Sequence, residues 1–191
     1  VANISMEKLD YDWLDFILKG KPKPELLKDK VNYQVMGTNE WRHAPNLQII
    51  NNDTLTFYLD NKSLIAQKTK KKRFEKQIVD FKDRETQNNY YTPEIIFDTL
   101  DASNGLVFTT EPFQKEFTIN GSFTGNLSAT INKKDIDVSL ALYEIMPDGR
   151  YFFLTRYVGR ASFAKDNSKR QLLQPNKKEN IPFDNTRFVS K

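Results

Sequence analysis

The chain has no cysteine. Disulfides, thiolate nucleophiles and Cys-ligated metals are therefore excluded. It has a single histidine, His43. Any nucleophile–base pair relying on imidazole would have to use that ring, and a zinc site of three or four ligands would lack its usual donors. The 7 glycines nowhere gather into a phosphate-binding loop, and no G-x-S-x-G elbow occurs. No apolar run approaches the roughly 18 residues that a membrane-spanning helix needs. The opening VANISMEKLDYDW has no signal-peptide hydrophobic region and no initiator Met, so a fragment of a longer chain is expected. The compartment is left open, because exported and cytoplasmic proteins alike can lack cysteine.

What is present is aromatic. Hydrophobic residues make up only 38% of the chain, but it holds 14 Phe and 8 Tyr. A few large rings per strand can fill a sandwich core, which argues for a folded domain and against disorder. At 191 residues the chain can form one β-rich domain, or one domain plus part of another. The net charge is +4, with much of the excess in Lys68–Arg73 (KTKKKR). A nucleic-acid binder would spread its cations over one face with a recognisable motif, so a solvated loop is the reading here.

Periodicity divides the chain. In Met6–Leu18, Leu9, Trp13 and Phe16–Ile17 recur at spacings of three and four, which predicts a helix capped by Ser5 and stopped by Gly20. Val31–Met36 alternates and reads as a strand ended by Gly37. Thr38–Asn46 (TNEWRHAPN) reads as a polar connector, and a domain boundary is placed there. Leu55, Phe57 and Leu59 alternate with polar neighbours, predicting a strand followed by an Asn61-Lys62 turn. Gln67–Pro93 is polar and reads as a surface excursion pinned by Tyr90-Tyr91. From Gly105 onward short strands recur: Leu106–Thr109, Phe117–Ile119 closed by an Asn120-Gly121 turn, Leu127–Ile131, Asp137–Ile145 and Tyr151–Val158. The last two flank Pro147-Asp148-Gly149, in which Pro presets φ and Gly takes the left-handed position. This spacing predicts a mainly β protein, a sandwich or barrel. After Ala164 the chain is polar again, and no strand is assigned there.

The candidate chemistry is thin. Gly121-Ser122-Phe123-Thr124-Gly125 places its serine one position early for an elbow, so Ser122 reads as a turn residue. Glu40 and His43 could form an acid–base pair, but both lie in the connector beside Trp41 and Arg42, and His43 reads as a surface or junction residue. Asp135 and Asp137 share one side of a strand and read as solvent-facing. Asp98, Asp101 and Asn104 read as a polar turn rather than a Ca²⁺ loop. Tyr90, Tyr91, Tyr151 and Tyr157 could stack on a sugar, or could be ordinary packing. No catalytic, cofactor or metal residue is assigned, and neither nucleic acid nor membrane is expected as a partner.

Four segments, in order, resemble the C-terminal region of the X-Pro dipeptidyl-peptidase and cocaine esterase family of serine hydrolases. They are Tyr11–Gly20 (YDWLDFILKG), Val31–Arg42 (VNYQVMGTNEWR), Leu106–Phe113 (LVFTTEPF) and Gly121–Ala161 with its Pro-Asp-Gly turn. The resemblance implies a parent with an α/β-hydrolase domain, a helical cap and a C-terminal jelly roll of galactose-binding-like type. Residues 1–46 would then be the tail of the hydrolase domain, a helix plus a strand. Residues 47–191 would be the jelly-roll β-sandwich. The triad would lie upstream of Val1, and the partner would be the catalytic α/β-hydrolase domain of the parent. Lys68–Tyr90 departs from the family by lacking its Asp-Pro and Gly-Gly signals. With six or seven strands counted against the usual eight, the sandwich is expected to be incomplete at its C-terminus. It would expose a sheet edge, and be less stable alone or pair as a homodimer. A stand-alone carbohydrate- or ligand-binding sandwich is the alternative reading.

Overall fold

The computed structural model describes residues 4–51, 53–71, 73–83, 94–103, 105–184 and 188–190. Two compact units emerge, the first from residues 1–54, 116–121 and 187–191, the second from residues 55–115 and 122–186.

The first unit opens with helix α1, Met6–Lys19. Ser5 is its N-cap, with Oγ accepting from the Lys8 N–H at 3.2 Å. Gly20 ends it in the left-handed region, φ 66°, where a side chain would be disfavoured. Strands β1 (Val31–Gln34) and β2 (Trp41–Ala44) pair antiparallel, with Asn32 opposite His43 and Gln34 opposite Trp41. The expected connector at Thr38–Asn46 therefore contains a strand. Its turn uses Gly37 and Asn39 at positive φ, and Val35 donates to the Glu40 carbonyl at 2.9 Å. Val35 and Ala44 are the buried side chains of this hairpin region.

The second unit begins with the hairpin β3 (Tyr58–Asp60) and β4 (Ser63–Ile65). Its two-residue loop, Asn61-Lys62, has both residues at positive φ, as a primed hairpin turn demands. The strand expected from Leu55 is shorter than its alternation suggested. Thr109 adds to β4 through a single parallel bridge, donating to the Lys62 carbonyl and accepting from the Leu64 N–H. Beyond β4, residues 66–83 form no strand or helix where described, and Tyr90 and Tyr91 lie outside the described residues.

Strand β5 (Ile96–Phe97) precedes β6 (Ile119–Gly121) and β7 (Thr124–Thr130). Residues 120 and 121, expected as a turn, lie inside β6, which belongs to the first unit and pairs with β11 (Phe188–Ser190). The long hairpin β8 (Asp137–Ile145) and β9 (Tyr151–Arg160) forms as expected, with β5 on the far edge of β9. Its loop closes with the Gly149 N–H on the Met146 carbonyl at 2.9 Å and Gly149 at φ 86°. Strand β10 (Lys178–Asp184) pairs antiparallel with β7 along its whole length, where the sequence offered no strand.

The core of the second unit lies between these sheets. Val138 and Leu140 of β8, Leu127 and Ala129 of β7, and Ile181 of β10 pack in one cluster with Ala161 and Leu173. Alternation places these side chains inward and Ser139, Ala141, Ser128 and Asn180 outward. Leu173 and Ile181, the large side chains most fully buried here, each contribute about 1.5–3 kcal/mol, and the half-buried Leu127 and Leu140 less. The protein is mainly β, and two sheets sharing one core are consistent with a β-sandwich.

Candidate functional site: an uncovered helix and a Trp–His cleft

The most exposed organised surface of the first unit is α1. No residue of the helix is buried, and Leu18 retains 74% of its accessible surface. Trp13, Leu14 and Ile17 are also open to solvent, although Trp13 and Phe16 stack with centroids 5.4 Å apart. The helix is otherwise well built. Lys8 pairs with Asp12, and Lys19 and Lys21 both reach Asp15 at 2.6 Å. Those two ammonium groups, Lys19 first, hold the Asp15 carboxyl below its ordinary pKa. A 14-residue helix is marginal on caps and ion pairs alone, so its apolar stripe calls for a neighbour.

The same unit contains an open cleft of about 480 Å³ lined by Glu25, Leu26, Lys28, Trp41 and His43. Strand β2 delivers both rings, and Glu25, Leu26 and Lys28 of the segment before β1 complete the lining. His43 is fixed from behind, with its Nδ1 2.7 Å from Asn32 Oδ1. That oxygen also accepts from the Asp29 N–H at 3.1 Å, and Asn32 Nδ2 donates to the Asp29 carbonyl. The shared acceptor calls for a proton on Nδ1. Glu40 does not form the acid–base pair with His43; its carboxylate takes Arg42 at 3.2 Å. The cleft can hold an apolar side chain between an aromatic wall and two opposite charges. It presents no hydroxyl nucleophile among its lining residues.

The other candidates are placed elsewhere. Ser122 is exposed in the short link between β6 and β7. Asp101 accepts from the Ser103 N–H at 2.9 Å in a local turn, and Asn104 lies outside the described residues. Tyr151 sits in β9 opposite Phe97 and Ile145. Tyr157 packs on Phe183 with centroids 5.9 Å apart, an ordinary packing role. Among the described residues no group of three or more His, Asp or Glu side chains could hold a metal ion, and no helix is long and apolar enough to cross a membrane.

Asp135 and Asp137 differ from the expectation. Asp137 is exposed and receives a two-pronged bond from Arg160, at 2.6 and 3.0 Å. Asp135 is not solvent-facing but half-buried. Its carboxylate accepts from the Ser162 N–H (3.0 Å), the Ser162 hydroxyl (2.7 Å), the Ile136 N–H (3.0 Å) and Arg170 (3.0 Å). Burial pushes this carboxyl up, but the bonds from Ser162 and Arg170 outweigh it and hold the pKa below the ordinary value. The network fastens the end of β9 to the start of β8. Sequence reasoning missed it because its members lie 27 and 35 residues apart. The adjoining cavity of about 90 Å³, lined in part by Ser162, Gln171 and Glu179, is small for an organic ligand.

Residues 27–184 match the family model described as the X-Pro dipeptidyl-peptidase C-terminal non-catalytic domain. No curated protein sequence matches the chain. Among solved structures, it is similar to an aminopeptidase from the marine sediment archaeon Thaumarchaeota archaeon. The TM-score is 0.73 and the identity 16%, over 96% of this chain and 34% of that one. At that identity the likeness is one of fold, and the chain spans about a third of the aminopeptidase's length.

Proposed function

The chain belongs to the family of X-Pro dipeptidyl-peptidase C-terminal non-catalytic domains, and from that premise we propose that it is the accessory β-sandwich of a serine hydrolase. It packs against a catalytic α/β-hydrolase domain in the same polypeptide and helps to shape the active-site entrance. In this reading the sandwich is a jelly roll of galactose-binding-like type over residues 47–191, and residues 1–46 are the tail of the hydrolase domain. The reacting Ser, His and Asp lie upstream of Val1. The parent cleaves acyl esters, amides or X-Pro peptides.

The observation that carries the reading is the bare apolar stripe of α1. A helix with good caps, its own ion pairs and no buried residue is one whose partner surface lies in another part of the protein. The Trp41–His43 cleft supports it, since the cleft can accept a side chain from that partner but presents no nucleophile of its own. The length relation to the archaeal aminopeptidase leaves room for a large additional domain.

The test is fluorophosphonate labelling of the natural full-length polypeptide, with the modified peptide read by mass spectrometry. The expected result is one labelled serine upstream of Val1. Folded full-length protein that takes no label would remove the serine hydrolase from this account.

A further inference from the structure

The stretch after β4 carries the whole of the chain's positive excess. Between Lys68 and Asp83 seven cations stand against three anions, a balance of +4, which equals the net charge of all 191 residues. Among the described cations of this stretch only Arg73 is tied down, 3.1 Å from Asp60. Apolar side chains follow at once. Phe74 is 90% exposed, and Ile78, Val79 and Phe81 are also open to solvent. Residues 73–80 belong to no helix or strand, and a turn follows where the Asp83 N–H reaches the Asp80 carbonyl at 3.2 Å.

Four large apolar side chains within eight residues, none of them covered, mark an interaction segment. Phe74, Ile78 and Phe81 are spaced by four and three, so on a helix they share one face, the pattern of anchors that fill a groove. The charge identifies the surface they meet. Unpaired lysines on the flank call for carboxylates on the rim. Glu75, Asp80 and Asp83, interleaved with the apolar residues, would be repelled by an anionic lipid surface, so a protein groove is favoured.

We propose that Arg73–Asp83 is a strap that docks into an apolar, carboxylate-rimmed groove on the catalytic domain of the same polypeptide. Phe74, Ile78 and Phe81 fill the groove, and Lys70, Lys71 and Lys76 pair at its rim. This deepens the docking reading above and rests on it.

Trypsin digestion tests it, with cleavage read at Arg73, Lys76 and Lys82 in this chain and in the full-length polypeptide. Amide exchange over α1 is followed in parallel. The full-length protein should be cut in the strap at least about tenfold more slowly. Phe74→Ser/Ile78→Ser/Phe81→Ser, Lys70→Glu/Lys71→Glu, or raised salt should restore fast cutting. Equal cutting in both proteins, with α1 protected in the full-length one, overturns the strap and leaves the docking reading standing. Loss of protection at both places overturns both. Retained protection in the triple-serine variant, or protection that needs phosphatidylserine vesicles, also overturns the strap.

Discussion

Asp135→Ala should cost far more stability than Asp137→Ala, although the two carboxylates stand two residues apart and each holds an arginine. Ser162 is only 1% exposed. Without Asp135 its N–H and its hydroxyl lose their acceptor in a place water scarcely reaches. A buried donor left unpaired costs about 1–3 kcal/mol, so two cost about 2–6 kcal/mol. The Asp135 side chain keeps 18% of its surface exposed, so water entering the vacated space recovers part of that, leaving about 2–4 kcal/mol. Asp137 and Arg160 are 64% and 52% exposed, and such a surface pair contributes about 0–1 kcal/mol. Thermal melts by far-UV circular dichroism should therefore fall by about 5–15 °C for Asp135→Ala and by at most about 4 °C for Asp137→Ala. The acid limb gives an independent check. Burial raises the Asp135 pKa, but its hydrogen bonds bring it below 3.8 on balance. A carboxyl depressed by folding stabilises above its unfolded pKa and loses that stabilisation as pH falls through the folded value. The gap between wild type and Asp135→Asn should hold steady above about pH 5 and close below the ordinary carboxylate range. Equal losses for the two alanine variants, or a gap that widens in acid, would refute the reasoning.

Two further outcomes are expected. A Cβ added at Gly125 would lie 2.6 Å from Phe183 Cζ, and Phe123 and Tyr157 pack on that ring. Gly125→Ala should cost about 1–3 kcal/mol by urea unfolding, against less than about 0.5 kcal/mol for Gly105→Ala, whose added Cβ would meet nothing within 4 Å. In the full-length polypeptide Trp41→Ala should lower the melting temperature or turnover while the reactive serine still takes a fluorophosphonate; wild-type melting and turnover would remove the cleft from the docking surface.

The sequence revealed those parts of the fold whose determinants are local. Helix α1 could be read because its cap, stripe and stop lie within sixteen residues, and Ser5 and Gly20 take those roles. The β8–β9 hairpin could be read because Pro147-Asp148-Gly149 fixes the loop and the alternation of Val138, Leu140 and Leu142 marks one face, but the register shift between Leu142 and Tyr143 left no signal in the sequence. Strand β10 could not. It offers Ile181 and Phe183 around a proline, a poor strand by itself. It becomes one because β7, more than fifty residues earlier, supplies a full ladder: Ile181 opposite Leu127 and Pro182 opposite Asn126. Strand β2 failed for the same reason, since Trp41–Ala44 has no alternation and is extended only by pairing with β1. The Asn120-Gly121 pair shows the reverse error, a turn signature overridden by pairing with β11.

The candidate site follows the same division. The apolar stripe of α1 was visible in its spacing, but its lack of any cover is a property of the folded chain. Glu40 and His43 looked like a pair because they are near in sequence. In the hairpin Asn32, eleven residues away, takes the imidazole, and the nearer Arg42 takes the carboxylate. That exchange bears on function. His43 is pinned through Nδ1 by an amide, and the cleft it lines holds no hydroxyl for an imidazole to activate. Held by Asn32, its ring lines the cleft beside Trp41, which suits a surface that the proposed catalytic domain covers. On the proposed reading, His43 is a positioning residue, and the chemistry lies in the catalytic domain that covers α1.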